Sequence, residues 1–171
     1  MKNIVLIGMP GVGKSSTGVV IAKILGFQFL DADLLIQSKY GDILEHLIEK
    51  YGIEGFIKIE NEVNMSIEAS RTVIATGGSV CYCDEALEKM KAEDVIVYLK
   101  ADFETIKDRL GSLKKRGVVI RKGETLKDLY DERVPLYEKY ADVVVDVSDC
   151  AFGASVDRTI EALKVCEKFN D

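Results

Sequence analysis

The sequence predicts an α/β protein, a three-layer αβα sandwich on a five-stranded, mainly parallel sheet. Short apolar runs alternate with longer segments of helical period. The run from Val95 to Leu99 is apolar throughout, as expected of a strand covered on both faces. The chain has 171 residues, and domains usually run about 100–200 residues, so a single domain over residues 1–171 is expected.

The elements follow in order. Asn3 to Ile7 is a β-branched run ending in glycines. Ser15 to Leu25 carries apolar residues at Val19, Val20, Ile21, Ile24 and Leu25, and Gly26 stops that helix. Phe27 to Leu30 is the second strand. Asp33 to Tyr40, Ile43 to Tyr51 and Glu54 to Ser70 are helical, the last with Phe56, Ile59, Val63 and Ile67 near one face. Thr72 to Ala75 is the third strand and runs into Thr76-Gly77-Gly78. Asp84 to Ala92 and Asp102 to Leu110 are helices on either side of the fourth strand. Thr125 to Tyr140 is a helix that Pro135 is expected to kink or interrupt. Val143 to Val147 is the last strand and Phe152 to Phe169 the last helix. Between the helix ending at Leu110 and the one starting at Thr125, Gly111 to Gly123 reads GSLKKRGVVIRKG, with five basic residues and no acidic one. This basic, glycine-bearing insert, at about 111–124, is the expected mobile lid.

Composition excludes several classes. Hydrophobic residues are 47% and charged residues 30%, the profile of a globular chain. The net charge is 23 − 29 = −6, which argues against a generally basic nucleic-acid binder, although a local basic patch can persist. No apolar run reaches the roughly 18 residues that span a membrane. The start reads as a buried strand rather than a signal peptide. The expected partner is a small-molecule substrate, not nucleic acid or membrane. A monomer is expected, with a homodimer the alternative. Cys81, Cys83, Cys150 and Cys166 form no CxxC pair and lack zinc spacing with the single His46. They read as free thiols in a cytoplasmic protein. His46 lies in an amphipathic stretch and reads as a helix-surface residue.

The strongest motif is Gly8-Met9-Pro10-Gly11-Val12-Gly13-Lys14-Ser15, a full match to GxxxxGK[ST] between a strand and a helix. Its glycines let the backbone wrap a phosphate and turn N–H groups inward. The helix start adds the positive end of its dipole. Nucleotide binding is therefore expected from Gly11, Val12, Gly13, Lys14, Ser15 and Ser16. Lys14 reaches the β- and γ-phosphates, and the Ser15 hydroxyl ligates Mg²⁺. The chain has no NKxD guanine-reading motif, and its length suits a small P-loop kinase. Asp31 and Asp33 follow the second strand at the ligand-binding end of an α/β sheet. One carboxylate can serve Mg²⁺ through water while the other contacts the acceptor hydroxyl. The bland alternative for Asp33 is a helix N-cap. Arg116, in the basic insert, is the candidate cation for the γ-phosphate, with Arg121 as its substitute if the register differs. Arg133 offers a planar fork for a substrate carboxylate, or pairs with Asp131 or Glu132 at the surface.

In this order the motifs resemble the shikimate kinase family of P-loop small-molecule kinases. The resemblance runs from Ile4 to about Val147. It rests on Gly13 to Gly18, Leu25-Gly26, Phe29-Leu30-Asp31-Ala32-Asp33, Gly41-Asp42-Ile43, Phe56 with Glu60, Ala75-Thr76-Gly77-Gly78, the spacing of Arg109 and Arg116, and Arg133-Val134-Pro135-Leu136-Tyr137. It implies Asp31 toward the metal and Asp33 toward the substrate, with possible proton acceptance by Asp33. It brings Gly77, Gly78 and Arg133 against the acceptor and Arg109 beside the adenine, although Arg109 alone also suits a helix C-terminus. It implies ATP-dependent phosphorylation of a hydroxyl on a small carboxylate, with shikimate the leading acceptor, in amino-acid biosynthesis.

Three positions depart from the family pattern. The family has an arginine directly after the phenylalanine of F-R-x-x-E, where this chain has Ile57. Losing a bidentate donor should cost a bound carboxylate on the order of 1.5–3 kcal/mol, roughly ten- to hundredfold. Ser79 replaces the third glycine of the glycine turn, and Gly52-Ile53 stands where Gly-Glu is usual. These departures keep a different hydroxy acid or a hydroxy amino acid such as homoserine as the alternative acceptor. A nucleotide-sensing degenerate kinase is the lesser alternative.

Overall fold

The computed structural model describes residues 2–110, 118–148 and 150–170. Five strands form one parallel sheet in the order β2-β3-β1-β4-β5. They are β1 (Ile4–Ile7), β2 (Gln28–Asp31), β3 (Thr72–Ala75), β4 (Val95–Lys100) and β5 (Val143–Asp146). β1 lies between β3 and β4, with Ile4 opposite both Val73 and Val95. β1 and β3 are buried at every position and β4 at all but Lys100, which explains their unbroken apolar sequences. From β1 the chain moves to β2, whereas from β3 it moves past β1 to β4. Neighbouring strands whose connections leave in opposite directions open a crevice at their carboxyl ends.

The helices are α1 (Lys14–Leu25), α2 (Ala32–Tyr40), α3 (Leu44–Met65), α4 (Asp84–Glu93), α5 (Phe103–Leu110), α6 (Leu126–Tyr140), α7 (Phe152–Lys164) and α8 (Glu167–Asn170). α1 and α7 pack together against the strands, and α3, α4 and α6 form the second group. The main core fills the space around β1, β3 and β4. A smaller apolar cluster of Ile36, Leu44, Leu47, Phe56, Ile59, Val63 and Val119 lies beneath α2 and α3. No described helix is long and apolar enough to cross a membrane.

Several local expectations are corrected. α3 breaks at Gly52 (φ +70), which separates the two predicted helices, but its second half ends at Met65 rather than Ser70. The Ser66 hydroxyl donates to the Val63 carbonyl at 2.7 Å and competes with the next helical turn. α6 runs through Pro135 without a break. Pro135 is exposed, as is Asp131, whose carbonyl its missing N–H would have bonded, so that carbonyl is not forced out of contact with solvent. The last helix divides after Lys164. A 3₁₀ helix over Gly78–Tyr82 replaces the simple glycine turn. All four cysteines are free. His46 is exposed and pairs with Asp42 at 2.7 Å.

Candidate active site

The crevice at the carboxyl ends of the strands holds a cavity of about 460 Å³. Its lining joins the loop after β1, the start of α2, the turn after β3, Arg109, Val118, Val119 and Arg133. Residues 90 or more apart in sequence therefore share one wall because the parallel strands end together.

The phosphate loop is built by backbone geometry. Gly13 takes φ +102, a left-handed conformation that strains any residue with a Cβ, and opens directly into α1. Lys14 is 7% exposed, and its ammonium donates to the carbonyls of Gly8 at 2.7 Å and Met9 at 3.0 Å. Burial pulls its pKa down to about 8, against the opposing pull of Asp33. The Ser15 hydroxyl donates to Asp31 Oδ2 at 2.6 Å. Arg109 Nη1 reaches the Val12 carbonyl at 3.2 Å, and Nη2 reaches those of Val147 and Cys150 at 3.3 and 3.4 Å. It thereby ties the phosphate loop to the segment after β5 and also lines the cavity.

Asp31 and Asp33 lie in different elements. Asp31 ends β2 and caps α2, with Oδ1 accepting from the Asp33 and Leu34 amides at 3.0 and 3.3 Å. The cap is thus Asp31, not Asp33. Asp33 already lies in helix α2, and its side chain lines the cavity. Burial, with Asp31 adding to it, pushes the Asp33 carboxyl up to about 6.

Gly77 and Gly78 sit where side chains cannot. A Cβ on Gly77 would lie 2.7 Å from both Asp33 Oδ1 and Glu60 Oε1. One on Gly78 would lie 2.7 Å from Pro10 Cδ and 3.2 Å from Arg133 Nη1. The Tyr137 hydroxyl donates to the Gly78 carbonyl and fixes this turn against α6.

Arg133 is not a surface arginine. It is 1% exposed, bonds the Val119 carbonyl through Nη2 at 2.7 Å, and lies over the Tyr82 ring at 5.3 Å. Its Nε has no partner, and no carboxylate among the described residues lies within ion-pair distance of it. Glu132, its expected alternative partner, instead bonds Tyr82 and Arg121. Arg121 also pairs with Glu54 and Glu124. Arg116 lies outside the described residues. Ile57 is absent from the cavity wall, which takes its neighbour Phe56 instead; Ile57 packs half-buried against the main core.

Glu60 is a further charged residue of the site, and its position in the sequence carries a signal. It interrupts the apolar stripe of Phe56, Ile59 and Val63, and it is 1% exposed. Oε2 accepts from the Ser79 hydroxyl, while Oε1 has no partner. Burial and the neighbouring Asp33 push the carboxyl up to about 7. The folded protein therefore keeps a proton that the unfolded chain releases near 4.5. That part of the stability is present in acid and lost as pH rises from about 4.5 to about 7. Thermal midpoints measured from pH 5 to 8 should fall more steeply for the wild type than for Glu60→Gln, which has no proton to lose.

A phosphate-cradling loop beside a cavity whose far wall presents a buried cation defines a P-loop phosphotransferase acting on a small molecule. The chain belongs to the shikimate kinase family: the shikimate kinase family model matches residues 10–164. The shikimate kinase of Thermodesulfovibrio yellowstonii is 41% identical over 149 residues, covering 85% of this chain and 86% of that protein. That of Caldanaerobacter subterraneus subsp. tengcongensis is 35% identical over 167 residues, covering 95% and 96%. Shikimate kinase from Acinetobacter baumannii, solved in complex with shikimate, superposes with TM-score 0.83 at 30% identity, over 96% of this chain and 92% of that one. The Sinorhizobium meliloti gluconokinase, at 18% identity and TM-score 0.62, shares the fold alone. The chain is an ATP-dependent phosphotransferase acting on a hydroxyl group. Its relatives lend no support to a homoserine kinase or to a degenerate nucleotide sensor.

Proposed function

We propose that this chain phosphorylates shikimate to shikimate 3-phosphate with the γ-phosphoryl group of ATP. The observation that carries the reading is Arg133, a buried guanidinium at the cavity wall with an unpartnered Nε and no described carboxylate within ion-pair distance. A buried cation without a counter-charge is costly, and an acceptor carboxylate supplies that charge. With Ile57 turned into the core, Arg133 carries the carboxylate without a second arginine from α3.

The remaining roles follow from position. The loop amides from Gly11 to Ser16 receive the phosphates. Lys14 exchanges the Gly8 and Met9 carbonyls for phosphate oxygens. Asp33, with Gly77 and Gly78, orients the acceptor hydroxyl, and its ionised form accepts the proton. Ser15 and Asp31, hard oxygen donors already in contact, suit Mg²⁺, which binds through few carboxylates plus phosphate. When bound, the ion neutralises charge on the phosphates. Arg109 flanks the base, and Arg116 is assigned to the γ-phosphate by family resemblance.

The test is ADP release with Mg·ATP and a panel of shikimate, homoserine, other hydroxy acids and nucleoside monophosphates. Turnover should appear with shikimate. Arg133→Lys should raise the shikimate KM roughly ten- to hundredfold, because a point charge cannot replace the fork, and leave the ATP KM within about twofold. Turnover confined to another acceptor would overturn the assignment.

A further inference from the structure

Of the departures from the family pattern, Ser79 contacts one buried group, Glu60, and Ile57 lies one helical turn before it. Ile57 precedes Glu60 by three residues, one helical turn, where a basic side chain would pair with it. Ile57 offers no polar atom from its side chain, and Lys58 is exposed. Ser79 instead donates its hydroxyl to Glu60 Oε2. A glycine at 79 would leave both carboxyl oxygens without a side-chain partner, since Oε1 has none already. The same carboxyl presses on Gly77, whose absent Cβ leaves room for Oε1 on one side and Asp33 on the other.

We propose that Ser79 takes the place of a residue-57 cation as the buried partner of Glu60, and that the Ser79–Glu60 pair is a positioning device for the Gly77–Gly78 turn against the acceptor. The two substitutions are therefore one coupled change. The proposal rests on the reading that this turn contacts the acceptor. The charges facing Glu60 fit it. Asp33 on α2 opposes ionisation, whereas Lys14 on α1 and Arg133 on α6 favour it, as does the Ser79 hydroxyl. Cys81, in the 3₁₀ helix, and Cys83, just after it, face it as neutral thiols, their own ionisation opposed by burial and by Glu60. A hydroxyl serves a carboxyl that is protonated for part of the neutral range, because it can donate or accept; a guanidinium serves only the ionised form.

The test is a cycle of wild type, Ser79→Gly, Ile57→Arg and the double variant, read by thermal midpoint and by the KM values for shikimate and ATP. Ser79→Gly alone should lower the midpoint by several degrees and raise the shikimate KM about tenfold, with the ATP KM unchanged. Ile57→Arg should reverse most of both losses in the Ser79→Gly background and change the wild type much less. Equal effects of Ile57→Arg in both backgrounds would overturn the coupling. Coupling in the midpoint without coupling in the shikimate KM would overturn the positioning role. If Ile57→Arg does not fold, Glu60→Met replaces it: Ser79→Gly should then be nearly silent, and an undiminished Ser79→Gly penalty would overturn the proposal. The midpoint needs no substrate, so a wild type without shikimate turnover overturns the functional reading separately.

Discussion

Gly77→Ala should lower kcat/KM for the acceptor by roughly a hundredfold or more, because it displaces groups at the reacting centre by a fraction of an ångström to an ångström. The added Cβ would meet Asp33 Oδ1 and Glu60 Oε1 at 2.7 Å each, well inside contact distance. Either carboxyl alone could swing aside in an open site. Here Glu60 is enclosed and held by Ser79, and Asp33 is fixed by the α2 start that Asp31 caps. The turn itself must move, and Gly78 has no slack, since it abuts Pro10 and Arg133. Overpacking of this kind costs about 1–3 kcal/mol of stability. The nucleotide side should be spared, so isothermal titration with an ATP analogue should give a Kd within a few-fold of wild type. An equal loss of nucleotide and acceptor binding would show that the turn supports the whole cavity rather than its acceptor half.

Lys14→Met should separate activity from stability. Removing the cation proposed to hold the β- and γ-phosphates should lower kcat by roughly a thousandfold. The thermal midpoint at pH 7 should nevertheless hold or rise. Lys14 is charged but buried, and its pKa in the folded protein, about 8, lies below its unfolded value of 10.5. A lysine with a depressed pKa penalises the folded state fully below about pH 8, and the penalty disappears as pH rises toward 10.5. Methionine keeps most of the volume and drops the charge. The Gly8 and Met9 carbonyls lose their donor, which offsets part of the gain. A fall of many degrees at pH 7 would mean that those two carbonyl bonds outweigh the buried charge.

The phosphate loop was legible because it is local. Its glycines, its lysine and the flanking strand and helix are contiguous, so spacing alone specifies them. The apolar runs of β1, β3 and β4 likewise encode two-sided burial, and the parallel αβα architecture follows from their alternation with helical segments. The cap on α2 shows the limit of that reading: both Asp31 and Asp33 suit an N-cap by residue type, and only the backbone at the end of β2 selects Asp31. Pro135 carries a local signal for a break that does not occur, because tertiary packing turns that side of α6 to water.

What the sequence by itself determined is the class of chemistry: a P-loop phosphotransferase on a parallel sheet. What only the tertiary structure decided is which side chains share a boundary at the cavity. Ile57 turns into the core while Phe56 faces the cavity, Arg133 is buried against Val119 rather than paired with Glu132, and Glu60 meets Ser79 across Gly77. The reason is physical. Loop and strand patterns depend on neighbours along the chain, whereas the acceptor wall is made by segments dozens of residues apart, and their packing alone fixes which polar groups lose water together.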